Sequence, residues 1–127
     1  MQKVIRIYTR DNDKVSQIAS TLFTYLLNYF SNMSKERDVI LGNDYVILYD
    51  SKFKIHIGQY HGDVERDKYA DVVVLSGWTP SKHEYENVLF NIVLGKNGNI
   101  ISYNRFNELL SNGYMIDYLS KCGDDID

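Results

Sequence analysis

The residues that could carry chemistry in this chain are its three histidines and the carboxylates near them. Neutral imidazole and carboxylate oxygen are ligands that suit several divalent metal ions, so a mixed cluster would form the centre of a metal-dependent hydrolase. His56 and His61 differ by five positions, so on one strand they project to opposite faces unless a bulge intervenes. A divalent metal site is therefore the alternative prediction, and its candidate ligands are His56, His61, Asp63 and His83.

A second carboxylate pattern follows an apolar segment. Asp50-Ser51-Lys52, with Asp38 or Asp44 nearby in the chain, resembles the carboxylate-x-lysine arrangement of nuclease strands, which would hold Mg²⁺ for phosphodiester cleavage. The same residues are more simply interpreted as a turn. The chain has 14 Lys and Arg against 17 Asp and Glu, and its net charge of −3 repels a polyanion. Nucleic acid is therefore disfavoured as a partner.

Common catalytic motifs are missing from the sequence. It contains no glycine-rich phosphate loop, zinc-protease helix or nucleophile elbow. Its single cysteine, Cys122, has no partner for an internal disulfide, which fits a reducing compartment. No apolar run reaches the roughly 18 residues of a membrane helix, and the first ten residues do not form a signal-peptide core. These absences favour a cytoplasmic, non-enzymatic protein with no cofactor and no membrane association.

Aromatic residues make up 13% of the chain, including 11 Tyr and one Trp. Tyr and Trp offer large, rigid contact areas with a polar tip, and they concentrate at interface hot spots. The competing explanation is sheet-forming Tyr together with the codon bias of an AT-rich genome. We predict a contact surface for a protein partner or for self-association. Its predicted binding residues are the anchors Trp78 and Tyr85, together with Tyr60 and an acidic rim of Asp63, Glu65 and Asp67 that steers a basic partner.

The leading functional hypothesis is a non-enzymatic protein-binding or regulatory protein. The bias towards residues with AT-rich codons, with a single Pro, suggests a low-GC bacterium, its phages or plasmids, or an AT-rich eukaryote or virus. A protein encoded by a phage or another mobile element would act on a host protein. The alternatives are a small metal-dependent hydrolase or nuclease, and a small-ligand binder with a pocket between the sheet and the C-terminal helices.

Hydrophobic periodicity predicts the first elements that must position these residues. Lys3 to Thr9 alternates and predicts a strand. The acidic residues Asp11 and Asp13 can cap the start of a helix. From Val15 to Met33 the apolar residues recur every three or four positions, which predicts a long helix with one buried face.

The middle of the chain predicts strands. Residues 38–50 hold two apolar runs around Gly42-Asn43-Asp44, which predicts a hairpin. In Phe53 to Tyr60, apolar and polar side chains alternate, so one side of the strand should be buried and the other exposed to solvent. Ala70 to Leu75 is a continuous run rich in β-branched residues and predicts a central strand that is covered on both faces.

The last third predicts a helical turn, a second hairpin and a closing helix. Ser81 with Glu84 three residues later forms a capping-box pattern. Residues 88–94 and 99–103 flank the turn-forming dipeptide Asn97-Gly98, which predicts two antiparallel strands. Asn104 can cap a helix whose inner face carries Phe106, Leu109 and Leu110.

These elements predict one α+β domain over residues 1–127, with residues 120–127 as a frayed acidic tail. Strands grouped in runs with helices at the ends favour a two-layer sandwich. We expect a mainly antiparallel sheet of five or six strands, one long N-terminal helix packed on it, and a short helical C-terminus.

Overall fold

The computed structural model describes residues 3–29, 39–42, 44–48, 53–62, 69–90, 93, 99–112 and 118. Within these ranges the strands are β1 (Lys3–Thr9), β2 (Val39–Leu41), β3 (Tyr45–Leu48), β4 (Phe53–Gln59), β5 (Val72–Ser76) and β6 (Asn99–Ser102). The helices are α1 (Val15–Tyr29), α2 (Lys82–Glu84) and α3 (Tyr103–Ser111). A 3₁₀ turn (Asn12–Lys14) precedes α1, and α2 continues as a π-helical turn (Tyr85–Leu89). None of the helices in the described part of the chain could cross a membrane.

The start of α1 follows the sequence pattern closely. The Asp11 side chain accepts a hydrogen bond from the Asp13 backbone N–H, at 3.0 Å, and so caps the 3₁₀ turn. Within α1, Ile18, Ala19 and Leu22 are buried, as their spacing predicted. The predicted extension of this helix beyond Tyr29 to Met33 lies outside the described residues.

Four neighbouring strands form a parallel unit that extends from the middle of the sheet to one of its edges. The sheet order is β2-β3-β4-β1-β5-β6. β1 pairs in parallel with β4 on one side and with β5 on the other, and β6 adds in parallel to β5. β3 runs antiparallel to both β2 and β4. The β2–β3 pair confirms the hairpin predicted in residues 38–50.

The predicted fold class is wrong. The sheet is not mainly antiparallel, because its β4-β1-β5-β6 unit is parallel. Three helices, of which the 15-residue α1 is the longest, lie around the sheet in the described residues, instead of one long N-terminal helix with a short helical C-terminus. The second predicted hairpin caused much of the error. Residues 82–89 are helical, Val93 makes a single parallel bridge to Ala70, and β6 pairs in parallel with β5. A helical segment between β5 and β6 carries the chain back to the same end of the sheet, as parallel pairing requires.

Both faces of the sheet are covered, so the two-layer expectation is also corrected. One face packs against α1 and α3 and forms what we term the α1 core, which consists of Ile5, Ile7, Ile18, Ala19, Leu22, Ile55, Ile57, Val72, Val74, Phe106, Leu109 and Leu110. The opposite face forms the Trp78 core, in which Trp78, Val88, Val93 and Ile100 pack on the buried residues Tyr8, Tyr60, Ala70, Val73, Leu75 and Leu89. β5 contributes alternate residues to the two cores, which confirms that this strand is covered on both faces.

The parallel unit has a switch point between β1 and β5. From β1 the chain moves to β4 on one side, and from β4 it returns past β1 to β5 on the other side. In open parallel sheets, the crevice outside the carboxyl ends of the strands at such a point is where ligands bind. The residues that follow β1, β4 and β5 meet at this edge and include Arg10, Tyr60 and Trp78.

Candidate functional site

Arg10 is the first residue beyond β1, and its main chain is held from the neighbouring strand. The Gln59 side-chain amide donates a hydrogen bond to the Arg10 carbonyl, at 3.1 Å. The Tyr60 backbone N–H donates to the Thr9 carbonyl, at 2.8 Å. The Thr9 hydroxyl accepts from the Asp11 backbone N–H, at 3.2 Å. These bonds fix the turn from which the Arg10 side chain projects.

The Arg10 guanidinium lies against two aromatic rings. Its central carbon is 4.8 Å from the centre of the Trp78 ring and 5.9 Å from the centre of the Tyr60 ring. Both distances are within cation–π range. The two rings stack on each other with centres 4.4 Å apart and planes 15° apart. The Arg10 side chain is nevertheless 55% exposed. A rigid aromatic platform therefore holds a guanidinium that faces solvent.

Trp78 is fixed by a polar contact as well as by packing. Its indole Nε1–H donates a hydrogen bond to the Tyr8 carbonyl on β1, at 2.9 Å. Gly77 stands directly before it with φ of 78°, in the left-handed region that a residue with a side chain adopts only with strain. This turn at the end of β5 brings the indole back over the sheet edge.

Glu84 closes the cluster from α2. Its Oε2 accepts a hydrogen bond from the Tyr60 hydroxyl, at 2.8 Å, and its Oε1 accepts from the Ser81 backbone N–H, at 3.0 Å. Oε1 also lies 3.7 Å from Nη2 of Arg10. The bonds from the Ser81 main chain and the Tyr60 hydroxyl hold the pKa of Glu84 below its ordinary value. Glu84 is thus an ionised carboxylate that is fixed beside Arg10. We term Arg10, Tyr60, Trp78 and Glu84 the Arg10 cluster.

The Arg10 cluster can bind an acidic group. A guanidinium that contacts an aromatic ring through its face keeps the five N–H donors in its plane available for hydrogen bonds. A carboxylate matches this planar arrangement with two parallel hydrogen bonds. The distance from Arg10 to Glu84 exceeds that of a hydrogen bond, so this ion pair leaves the donors available. The arrangement is suited to recognition of such a planar acidic group.

A separate open cavity of about 480 Å³ lies between α1 and the end of β4. It is not between the sheet and the C-terminal helices, where a ligand pocket was expected. Its lining combines four polar side chains with two aliphatic ones and one glycine. These residues are Asn12, Val15, Ser16, Asp44, Ile57, Gly58 and Gln59.

The predicted binding residues separate into distinct environments. Trp78 is half-buried, and Tyr60 is only 4% exposed, so Tyr60 supports the surface instead of forming it. Tyr85 is 41% exposed and its ring lies 6.2 Å from that of Phe90, which is 57% exposed. The acidic rim of Asp63, Glu65 and Asp67 lies outside the described residues.

The histidines do not form a metal centre within the described residues, where no group of three or more potential metal ligands occurs. His56 lies on β4 beside Arg6 of β1. His61 is exposed just beyond β4. His83 is exposed in α2, where its Nδ1 is 3.2 Å from the Asn87 side-chain nitrogen. Of the remaining acidic candidates, Asp44 is exposed, and Asp38, Asp50 and Asp63 lie outside the described residues.

Sequence reasoning missed Arg10 and Glu84 as members of one site. Arg10 belongs to none of the sequence motifs described above, and Glu84 was predicted only as part of a capping box, which the structure confirms. A usable signal was present in the buried β-branched run that precedes Trp78. Such a run is typical of a parallel strand, and residues that follow parallel strands gather at one edge of the sheet.

Comparisons with protein-family models, with curated proteins and with solved structures find no match to this chain.

Proposed function

We propose that this protein acts by binding a partner protein, and that the Arg10 cluster recognises an acidic side chain of that partner. The observation that carries the proposal is the Arg10 guanidinium, which is 55% exposed and is held against the Trp78 ring at 4.8 Å. An arginine that is ordered before binding loses less conformational entropy when it pairs with a carboxylate.

The surroundings of Arg10 favour a protein over a small molecule. Small-ligand sites enclose most of their ligand in a concave pocket. The Arg10 side chain is 55% exposed, and Arg10 does not line the cavity between α1 and the end of β4. Tyr85 follows Glu84 in the chain and forms an exposed aromatic pair with Phe90. Arg, Tyr and Trp are the residue types that dominate interface hot spots.

The experiment uses the single tryptophan of the chain as its reporter. Trp78 contacts the Arg10 guanidinium, so the fluorescence of Trp78 should respond when a carboxylate pairs with Arg10. The probes are capped peptides that carry one Glu beside an aromatic residue, and matched peptides with Gln in place of Glu. We expect the Glu peptide to bind at least about tenfold more tightly, which is the effect of one charged hydrogen-bonded pair.

Two arginine variants test whether Arg10 is responsible. Arg10→Gln should abolish the preference for Glu. Arg105→Gln should preserve it, because Arg105 has nearly the same exposure, 56%, and its own ion pair with Glu108, but lies on α3. Equal binding of the Glu and Gln peptides, or an unchanged preference in Arg10→Gln, would contradict the proposal. A dimer in sedimentation that Arg10→Gln dissociates would identify a second copy of the chain as the partner.

A further inference from the structure

The carboxylate of Glu84 lies beside Arg10 but is held in place by hydrogen bonds from other groups. Both of its oxygens accept hydrogen bonds from groups other than Arg10, namely the Ser81 backbone N–H and the Tyr60 hydroxyl. Tyr60 is itself buried, and its ring is stacked on Trp78. Glu84 therefore cannot swing away from Arg10 when an acidic ligand arrives without breaking its own bonds.

We propose that Glu84 makes the Arg10 cluster selective for a singly charged carboxylate over a doubly charged phosphate. This inference rests on the proposed function. One negative charge on the ligand can pair with the guanidinium N–H donors. A second negative charge on the ligand is attracted less strongly, because the negative charge of Glu84, 3.7 Å from Nη2 of Arg10, partly cancels the positive charge of the guanidinium.

Two further features agree with this selectivity. The hydrogen bonds that fix Glu84 also lower its pKa, so it keeps its charge under mildly acidic conditions. The turn after Arg10 carries more negative than positive charge, because Asp11 and Asp13 are both exposed there together with the single cation Lys14. Sites for phosphate groups usually provide several donors or cations, since the ligand carries close to two charges at neutral pH.

The expected effect of Glu84→Gln follows from Coulomb's law. Removing one charge at a separation of about 6 Å in water strengthens binding about threefold for each negative charge on the ligand. The affinity for a carboxylate should rise about threefold and that for a phosphate dianion about tenfold, which lowers the carboxylate preference about threefold. Glu108→Gln is the matched control, because Glu108 also pairs with an exposed arginine, at 3.4 Å.

The test compares two capped peptides that carry Glu or phosphoserine at the same position, with Trp78 fluorescence as readout and ionic strength held constant. We expect the wild-type protein to prefer Glu at pH 7.5, and Glu84→Gln but not Glu108→Gln to reduce that preference. A second measurement needs no variant. At pH 5 the phosphoserine is largely a monoanion, because its second pKa is about 6, so the wild-type preference should shrink.

The outcomes separate this inference from the proposed function. If Glu peptides bind through Arg10 but phosphoserine binds as well or better at pH 7.5, the selectivity is overturned and the binding function stands. The same holds if Glu84→Gln leaves the preference unchanged in a variant that melts as a folded protein. If neither peptide binds, both proposals fail.

Discussion

The two faces of the sheet are built from different kinds of side chain. The α1 core is mainly aliphatic, with one phenylalanine, Phe106, among its buried members. The Trp78 core contains rings with polar tips, and these tips are bonded: Trp78 to the Tyr8 carbonyl and Tyr60 to Glu84. Apolar packing stabilises without fixing any polar group, whereas a bonded ring holds one orientation. The α1 core should therefore contribute most of the stability, and the Trp78 core should position Arg10.

The largest expected effect is in the α1 core. Phe106→Ala removes a side chain that is 1% exposed and leaves a cavity, so the free energy of unfolding should fall by about 3–5 kcal/mol. Urea denaturation measures the loss, and Asn107→Ala on the exposed side of α3 is the control. A loss below about 1 kcal/mol would show that this face is not the main source of stability.

A smaller loss is expected from the Trp78 core. Trp78→Phe keeps an aromatic ring but removes the indole N–H that bonds the Tyr8 carbonyl, which should lower stability by about 1–2 kcal/mol. The exposed Tyr85→Phe should change stability by less than about 0.5 kcal/mol. Equal effects of the two variants would mean that the indole bond does not order this face.

Variants of the two capping serines, Ser81 and Ser102, allow a direct comparison of the two faces of the sheet. Ser81 and Ser102 each accept a hydrogen bond from the backbone N–H three residues later, and each Ser→Ala variant should cost about 1 kcal/mol of stability. Ser81 is also part of a capping box with Glu84. Ser81→Ala should therefore change the binding of a Glu peptide as well, whereas Ser102→Ala should change only the melting temperature. Loss of binding in both variants would point to a general loss of order.

The two arginines should differ slightly in stability and strongly in binding. Arg10 contacts Trp78 and Tyr60, so Arg10→Gln should lower stability by about 0.5–1 kcal/mol. Arg105 forms an exposed pair with Glu108, so Arg105→Gln should cost less than about 0.5 kcal/mol. Thermal melts of both variants measure this difference. An equal cost would show that the aromatic contact adds nothing to an ordinary surface arginine.

The smallest expected effect is a pH dependence that Glu84 contributes. Its pKa in the folded protein is lower than the ordinary value of 4.5, so its stabilising contribution is present above that pH. The contribution is lost as the pH falls through the lowered folded-state pKa. The stability of the wild type relative to Glu84→Gln should therefore be greater at pH 7 than at pH 3, and denaturation at both pH values measures this. A constant difference would contradict a lowered pKa.

Several local features could be predicted from the sequence because their partners lie a few residues away. The Asp11 cap bonds Asp13, and the Ser81 box bonds Glu84. The burial of Ile18 and Leu22 in α1 follows from helical periodicity. The β2–β3 hairpin follows from a short turn between two apolar runs. In each case the contact is set by residue spacing within one element or one turn.

The direction and order of the central strands were decided by tertiary structure. Ile5 pairs with Ile55 on one side and with Val72 on the other, and no local pattern links these positions. The dipeptide Asn97-Gly98 favoured an antiparallel hairpin, but β6 pairs with β5 after a helical segment, residues 82–89, whose last residues Val88 and Leu89 pack in the Trp78 core. A local turn preference is worth little against the burial of Leu89 and the neighbouring strand residues.

The sequence alone therefore determined the caps at Asp11 and Ser81, the buried faces and the number of aromatic residues, whereas α3 is capped by Ser102 and not by the predicted Asn104. The parallel order of the strands brought Arg10, Tyr60, Trp78 and Glu84 to one edge. The physical reason is that helix starts and buried faces depend on near neighbours. A binding site at the carboxyl ends of parallel strands depends on which distant segments share hydrogen bonds, and only the packed sheet specifies that.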